Sequence, residues 1–223
     1  MSDTPLPANT FDRAFLTGCD KATEWMLPWF VENFRKHNPD AKLSLADFGM
    51  SDSMLGWAGD SGEFHSIGKM DTKMAKGWFL KPGCMLGTPY KQVCWLDTDI
   101  EVRGDMTPIF GYIRSNKLLM AIDNPWTKRM GQKTHNSGVV AFMNKPQILT
   151  KWAEACVTST ERGDQEQLHA MLDPLSKAVH IEDLPNKFNY LRIDFLDKNT
   201  VPDIRAVHWT GEKGKAKIRE LMQ

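Results

Sequence analysis

Two aspartates separated by a single residue follow an apolar segment near the middle of the chain. Residues 93–96, with the sequence VCWL, form a continuous apolar run typical of an interior strand, and Asp97-Thr98-Asp99 follows directly. Carboxylates this close repel each other and resist desolvation, so a neighbouring cation is favoured. Mg²⁺ and Mn²⁺ prefer such hard oxygen ligands and also bind phosphate oxygens. The pattern indicates a metal site, and a solvated acidic turn is the simpler alternative.

Two further segments offer polar groups beside apolar stretches. Asn136, Ser137 and Gly138 precede an apolar run, where the amide can donate and accept and the glycine lets backbone approach a ligand closely. An ordinary turn before a strand explains this segment equally well. Asp164 opens a helical segment with Gln167 three residues later, which is the spacing of a capping box. The same carboxylate could serve both a helix cap and a sugar hydroxyl.

A histidine followed by glycine and lysines stands near the end of the chain. His208 ends an apolar run, and Gly211, Lys213 and Lys215 follow it. An imidazole can bind a divalent cation, and the lysines can neutralise phosphate. A histidine satisfied within the core is the alternative, but the Gly-Lys-rich continuation favours the ligand.

The elements that position these residues follow an α/β pattern. Short apolar runs alternate with helix-like segments, which predicts a mainly parallel central sheet flanked by helices. The predicted strands are 14–17, 43–46, 93–96, 118–122, 138–143, 178–181 and 206–209. With no repeat or long linker, residues 1–223 are expected to form a single domain.

Helices are predicted from apolar spacing and capping residues. Apolar side chains recur at helical spacing from residue 25 to 34, with Pro28 acceptable in the first turn. Thr107 is predicted as an N-cap followed by proline, and Pro146 opens a helix with apolar residues at 148, 149, 152 and 156. Residues 213–222 form a basic helix. The segment 47–77, rich in Gly, Ser and Asp, has no clear assignment.

Composition excludes several classes of protein. Lys plus Arg and Asp plus Glu are 28 each, so no overall charge attracts nucleic acid or an anionic membrane surface. The four cysteines show no CxxC spacing and are expected to be reduced, as in a cytoplasmic protein. No leading signal segment and no run long enough to span a membrane is found in the sequence.

Taken in order, four motifs resemble the retaining glycosyltransferases of the glycogenin and bacterial lipopolysaccharide galactosyltransferase group, which have the GT-A nucleotide-sugar fold. The resemblance extends over nearly the whole chain. The motifs are Leu96-Asp97-Thr98-Asp99, Asn136-Ser137-Gly138-Val139, Asp164-Gln165 and His208-Trp209-Thr210-Gly211. No single motif is specific. The occurrence of all four in the same order and at spacing comparable to that of the family is specific.

The resemblance implies roles for individual residues. Asp97 would contact the ribose and the metal, Asp99 would bind the metal directly, and His208 would be the third protein ligand. Asp20 matches the acid that touches the nucleotide base. Lys81 stands where the family usually has an arginine facing the donor, and a lysine lacks the bidentate fork.

The remaining roles concern the sugar and the diphosphate. Asp164 and Gln165 resemble the pair near the transferred sugar, and Asn136, Gly138 and Gly211 fall within the donor-binding motifs. The family has a lysine six positions after the histidine, where this chain has Gly214 between Lys213 and Lys215. Either lysine could therefore hold the diphosphate.

The resemblance predicts an enzyme that moves a sugar from a nucleotide-diphosphate sugar, a UDP-sugar, to an acceptor with retention, using Mn²⁺ or Mg²⁺. The acceptor, a glycan, lipid or protein, is not readable; a loop containing Trp126 could contact it. A phosphohydrolase of the haloacid dehalogenase type is one alternative, but its motif continues with Thr or Val where this chain has Glu101. A non-catalytic nucleotide-sugar-binding protein is the other alternative.

Overall fold

A seven-stranded mixed sheet forms the centre of the computed structural model, which describes residues 13–73 and 77–223. The strand order is β3-β2-β1-β4-β7-β6-β8. The bounds are β1 Arg13–Cys19, β2 Leu43–Asp47, β3 Ser66–Lys69, β4 Gln92–Leu96, β6 Leu118–Ile122, β7 His135–Met143 and β8 Ile181–Leu184. Strands β1 to β4 are parallel, and β7 runs antiparallel to both neighbours, β4 and β6.

A second sheet of three strands lies in the order β5-β10-β9. Its strands are β5 Ile100–Val102, β9 Tyr190–Leu191 and β10 Ala206–His208. Strand β10 pairs antiparallel with β5, which begins just after β4 ends, so the end of β10 is brought to the end of β4.

Helices cover both faces of the large sheet. They are α1 Leu27–His37, α2 Asp52–Asp60, α3 Lys81–Gly87, α4 Asn124–Met130, α5 Gln147–Val157, α6 Asp164–Ala170, α7 Pro174–His180, α8 Arg192–Leu196 and α9 Gly211–Leu221. Alternate residues of each strand face opposite sides, so two apolar cores form. Phe15 packs edge to face on Phe34 of α1 with ring centroids 5.1 Å apart, whereas Trp95 and Trp152 belong to the core under α3 and α5.

The structure confirms most of the predicted elements. The strand 118–122 has the predicted bounds, and the other matching strands differ by a few residues at their ends. The helix after Pro146 buries its four predicted apolar positions, and Pro28 lies in the first turn of α1. The unassigned segment contains α2 and β3 in its described part, with Ser51 capping α2 by accepting from the Met54 N–H at 3.3 Å.

Four local predictions are wrong. The loop expected around Trp126 is helix α4, which Asp123 caps by accepting from the Trp126 N–H at 3.1 Å. Residues 178–180 are the last residues of helix α7, which Asp173 caps at its start by accepting from the Ser176 N–H at 2.8 Å, and β8 begins only at Ile181. Thr107 begins a 3₁₀ helix instead of capping one. Asp164 is the first residue of α6 and makes no capping box, because its side chain turns to a buried lysine.

The Asp97–Asp99 turn lies at the carboxyl end of β4, the central strand of the seven, as predicted. Ligands of open α/β sheets bind outside such strand ends. Among the described residues, no helix combines the length and apolarity needed to cross a bilayer.

Candidate functional site

The two aspartates are held by backbone hydrogen bonds to the neighbouring strand and within their own turn. The Asp97 N–H donates to the Gly138 carbonyl at 2.9 Å, which extends the β4–β7 pairing by one residue. The Ile100 N–H donates to the Asp97 carbonyl at 3.2 Å and closes the turn. This turn sends the chain into β5, so both carboxylates remain at the sheet edge.

His208 reaches the same place from the second sheet. It pairs with Ile100 in the β5–β10 ladder, and the following Trp209 N–H donates to the Asp99 carbonyl at 3.0 Å. The imidazole Nε2 lies 3.0 Å from Asp99 Oδ1 and 3.9 Å from Asp97 Oδ2. One possible ligand atom from each of the three residues lies within 4.8 Å of the other two. The structure thus brings together the three predicted metal ligands.

Two amide side chains orient the imidazole. His208 Nδ1 lies 3.0 Å from Asn136 Oδ1 and 3.1 Å from Asn189 Oδ1. The Gly138 N–H also donates to Asn136 Oδ1 at 2.9 Å, which fixes that amide. Because both neighbours of Nδ1 are acceptors, Nδ1 donates to them, and Nε2 is the ring nitrogen that faces the aspartates. Nε2 would bind a metal after losing the proton that the aspartates favour. This is the usual arrangement of a metal-binding histidine.

Gly138 is required by the histidine ring. A Cβ atom at this position would lie 2.0 Å from His208 Cε1 and 2.4 Å from Nδ1. The sequence predicts that the backbone here approaches a ligand, whereas the group that the structure places against Gly138 is the imidazole of His208. Both Asn136 and Gly138 line the cleft at this edge, so they could also contact a ligand.

Lys81 forms the other side of the cluster and is only 2% exposed. Its Nζ lies 3.3 Å from Asp97 Oδ1 and 3.0 Å from Asp164 Oδ2, and it donates to the Ser137 carbonyl at 2.9 Å. The Trp95 indole N–H also donates to Asp97 Oδ1 at 2.6 Å. Asp97 Oδ1 is thereby occupied, while Oδ2 is the oxygen nearer His208.

The charges of this cluster shift the pKa values of its members. Burial lowers the pKa of Lys81, but Asp164 and Asp97 outweigh burial and leave that pKa raised. Burial raises the pKa of Asp97, and Lys81 only partly opposes this while Asp99 adds to it. For His208, burial lowers the pKa, but Asp99 and then Asp97 more than offset burial and leave the pKa raised. The cluster therefore favours an additional positive charge between its carboxylates.

Two clefts meet at these residues, and both are lined by Trp78, Lys81, Asp97, Asp99 and Gly211. The first has a volume of about 300 Å³ and extends along the ends of β1 and β4. Its other polar lining residues include Asp20, Thr23 and Lys215. The second has a volume of about 510 Å³ and extends toward α4, α6 and α8.

The second cleft contains both residues predicted to lie near the transferred sugar. Asp164 is buried against Lys81, and the Gln165 Oε1 accepts from the Ser137 N–H and from the Asn136 Nδ2, each at 3.1 Å. These hydrogen bonds connect the start of α6 to the start of β7. Both residues line the second cleft, and their roles toward a sugar remain predictions.

The structure distinguishes the two candidate lysines. Lys215 lines the first cleft, whereas Lys213 is exposed on α9 and lines neither cleft. Gly214 is buried, and a Cβ there would lie 1.9 Å from the Trp209 carbonyl oxygen. Only glycine fits at the position where the resemblance expects a lysine.

Sequence reasoning missed Asp123 and the roles of Asn189 and Trp78. Asp123 is 2% exposed in the second cleft, caps α4 by accepting from the Trp126 N–H at 3.1 Å, and has its pKa raised by burial. An aspartate before Asn-Pro is a recognisable cap signal. Trp78 lines both clefts and is 55% exposed.

Three solved structures show the same fold. The galactosyltransferase LgtC, in complex with donor and acceptor sugar analogues, has a TM-score of 0.67 and 16% identity over 93% of this chain and 94% of its own. The apo glycosyltransferase GlyE of Streptococcus pneumoniae TIGR4 has a TM-score of 0.66 and 18% identity, covering 91% of this chain and 55% of its own. Apo mouse xyloside xylosyltransferase 1 has a TM-score of 0.56 and 13% identity, covering 90% of this chain and 98% of its own.

These similarities confirm the GT-A glycosyltransferase fold that the four motifs predict. No protein-family model and no curated protein matches the sequence. The similarity to known proteins is therefore a similarity of fold. None of the three structures is a phosphohydrolase, and the haloacid dehalogenase alternative therefore has no support in them.

Proposed function

We propose that this protein is a metal-dependent glycosyltransferase that moves a sugar from a nucleotide-diphosphate sugar, a UDP-sugar, to an acceptor with retention. The observation that carries the proposal is the convergence of Asp97, Asp99 and His208 at the edge of two connected clefts. The related structure LgtC was solved with donor and acceptor sugar analogues, which supports the same use of this edge here.

The three side chains fit a divalent cation. Two carboxylates supply hard oxygens, and the Nε2 of His208 supplies a nitrogen whose orientation is fixed by amides behind it. Mn²⁺ or Mg²⁺ bound there would act as a Lewis acid toward the leaving diphosphate. Asp97 and Asp99 would hold the ion, and His208 would complete the set of protein ligands.

One cationic side chain of the first cleft, Lys215, would hold the leaving diphosphate. Lys215 lines this cleft on α9, and Lys81 supplies a buried charge behind Asp97. Because Lys81 is already paired with Asp97 and Asp164, it would act mainly by holding these carboxylates in place. Asp20, at the end of β1, lies in the same cleft and would contact the nucleotide.

The second cleft would receive the sugar and the acceptor. Asp164 and Gln165 would orient the transferred sugar, and Trp126 on α4 offers an aromatic face to an acceptor. Retention is inferred from the resemblance alone, and no residue is assigned as a nucleophile.

A panel of nucleotide sugars with Mn²⁺, scored for hydrolysis of the donor, tests this proposal without an acceptor. We expect one UDP-sugar to be hydrolysed, and His208→Ala to abolish that hydrolysis. Calorimetry with UDP should show much weaker binding when a chelator removes the metal, because the diphosphate would then face Asp97 and Asp99. Binding of a nucleotide sugar with neither transfer nor hydrolysis would instead support a non-catalytic binding protein.

A further inference from the structure

A third cleft, of about 300 Å³, shares no lining residue with the two clefts of the candidate site. It lies between the end of α4, the start of β7, helix α7 and strand β8. We call it the basic cleft, after its charged lining residues Lys133, His135, Lys177 and Asp183.

Lys177 is the unusual member of this cleft because it is buried without a carboxylate partner. The residue is 5% exposed, and its ammonium donates a hydrogen bond to the neutral Lys133 carbonyl at 3.4 Å. Within residues 13–73 and 77–223, no ion pair joins it to an aspartate or glutamate. A buried ammonium without a counter-ion is unfavourable, and burial accordingly lowers the pKa of Lys177.

The one carboxylate of the basic cleft is already engaged. Asp183 pairs with Lys133, and its Oδ1 lies 2.9 Å from His135 Nε2. Burial lowers the pKa of His135, which keeps the imidazole neutral. Two ammonium groups therefore face one carboxylate, and the cleft has an excess positive charge.

We propose that the basic cleft binds a small phosphate-class oxyanion, either inorganic phosphate or a phosphomonoester. Lys177 would be its buried counter-ion, and the half-exposed Lys133 would contact it at the entrance. Lysine ammonium groups are common point-charge partners of phosphate. The neutralised Asp183 would limit repulsion. This site is independent of the proposed glycosyltransferase activity.

Calorimetric titration of inorganic phosphate into chelator-treated protein tests the site directly. We expect saturable binding to the unaltered chain, and weakening by about tenfold or more in Lys177→Met, because a charge-assisted contact is lost. Lys151→Met, at an exposed position on α5 that lines none of the three clefts, is the control and should bind phosphate as before. Phosphate binding that is as tight in Lys177→Met as in the unaltered chain would overturn the proposal, and its loss in Lys215→Met would then place the bound phosphate in the first cleft.

Thermal unfolding separates loss of binding from loss of folding. Without phosphate, Lys177→Met should melt at or above the temperature of the unaltered chain, because a buried, uncompensated charge has been removed. Phosphate should raise the melting temperature of the unaltered chain alone, and an equal rise in both would refute the site. Co-sedimentation with vesicles of phosphatidylcholine, with and without phosphatidic acid, would show whether the phosphate belongs to a lipid headgroup or to a free molecule.

Discussion

Replacing Gly138 with alanine should disable the metal cluster while leaving the central sheet formed. The added Cβ would lie 2.0 Å from His208 Cε1, whereas ordinary contacts begin at 3.4 Å. The ring must therefore retreat by about 1.4 Å, the difference between these two distances. The ring cannot move without breaking contacts, because His208 Nδ1 is hydrogen-bonded to the side chains of Asn136 and Asn189.

The size of the effect follows from this displacement. His208 Nε2 now lies 3.0 Å from Asp99 Oδ1, and a shift of this size moves it out of a common coordination sphere. A misplacement of about 1 Å in a reacting site costs on the order of 100-fold in rate. We expect a similar loss of turnover from Gly138→Ala. We also expect metal affinity to fall by roughly 10- to 100-fold, the range seen when the groups that orient a metal-binding histidine are altered. Overpacking should lower the free energy of unfolding by about 1–3 kcal/mol.

The assay is a Mn²⁺ titration of donor hydrolysis together with direct measurement of Mn²⁺ binding by calorimetry. Gly68→Ala is the matched control, because Gly68 also lies within a strand and a Cβ there would meet nothing within 4 Å. The control should retain metal affinity and turnover. If Gly138→Ala bound Mn²⁺ as tightly as the unaltered chain, the inferred contact between this glycine and His208 would not control the site.

Three other changes test separate parts of the site. Asp164→Asn should lower both turnover and the free energy of unfolding, the latter by about 1–3 kcal/mol, because Asp164 pairs with the buried Lys81 instead of capping α6; unchanged turnover would remove Asp164 from the site. Lys215→Met should weaken binding of UDP more than binding of uridine, whereas Lys213→Met should alter neither; equal effects of the two variants would contradict the cleft assignment. The pKa of His208 is raised above its ordinary value near ~6.5, and a proton competes with Mn²⁺ for Nε2. Mn²⁺ affinity should therefore be full at a pH above the raised pKa. As the pH is lowered, the affinity should already be falling before pH ~6.5 is reached. Affinity that stays constant across this range would contradict ligation by His208.

Local patterns were sufficient to predict the framework that carries the site. Continuous apolar runs predicted β4 and β6 because both strands are buried on the two faces of the sheet. Helical spacing predicted α5 because its apolar residues face one core. These signals depend on neighbours within a few residues, and sequence contains them directly.

Predictions failed where a distant partner or a neglected cap decided the structure. The Asp164-Gln167 spacing fits a capping box, but Lys81, which is far away in sequence, takes the carboxylate because a buried ammonium needs a counter-ion. The apolar residues of segment 178–181 predict a strand, but Asp173 caps a helix that extends to residue 180. A contact between residues far apart in sequence, such as Lys81 and Asp164, produces no local sequence pattern. The capping residue Asp173, in contrast, can be recognised from the sequence.

The metal cluster shows the same division between what sequence does and does not reveal. Asp97 and Asp99 are recognisable because both belong to one short motif. The support of His208 comes from Asn136 and Asn189, which lie on β7 and just before β9, and their spacing follows no pattern because three separate chain segments meet there. Hydrogen-bond partners fix the reactive nitrogen of a histidine as firmly as its own position in the chain does. Sequence could therefore predict which residues form the candidate metal site, while only the packing of β7, β9 and β10 explains why the imidazole turns Nε2 toward the two aspartates.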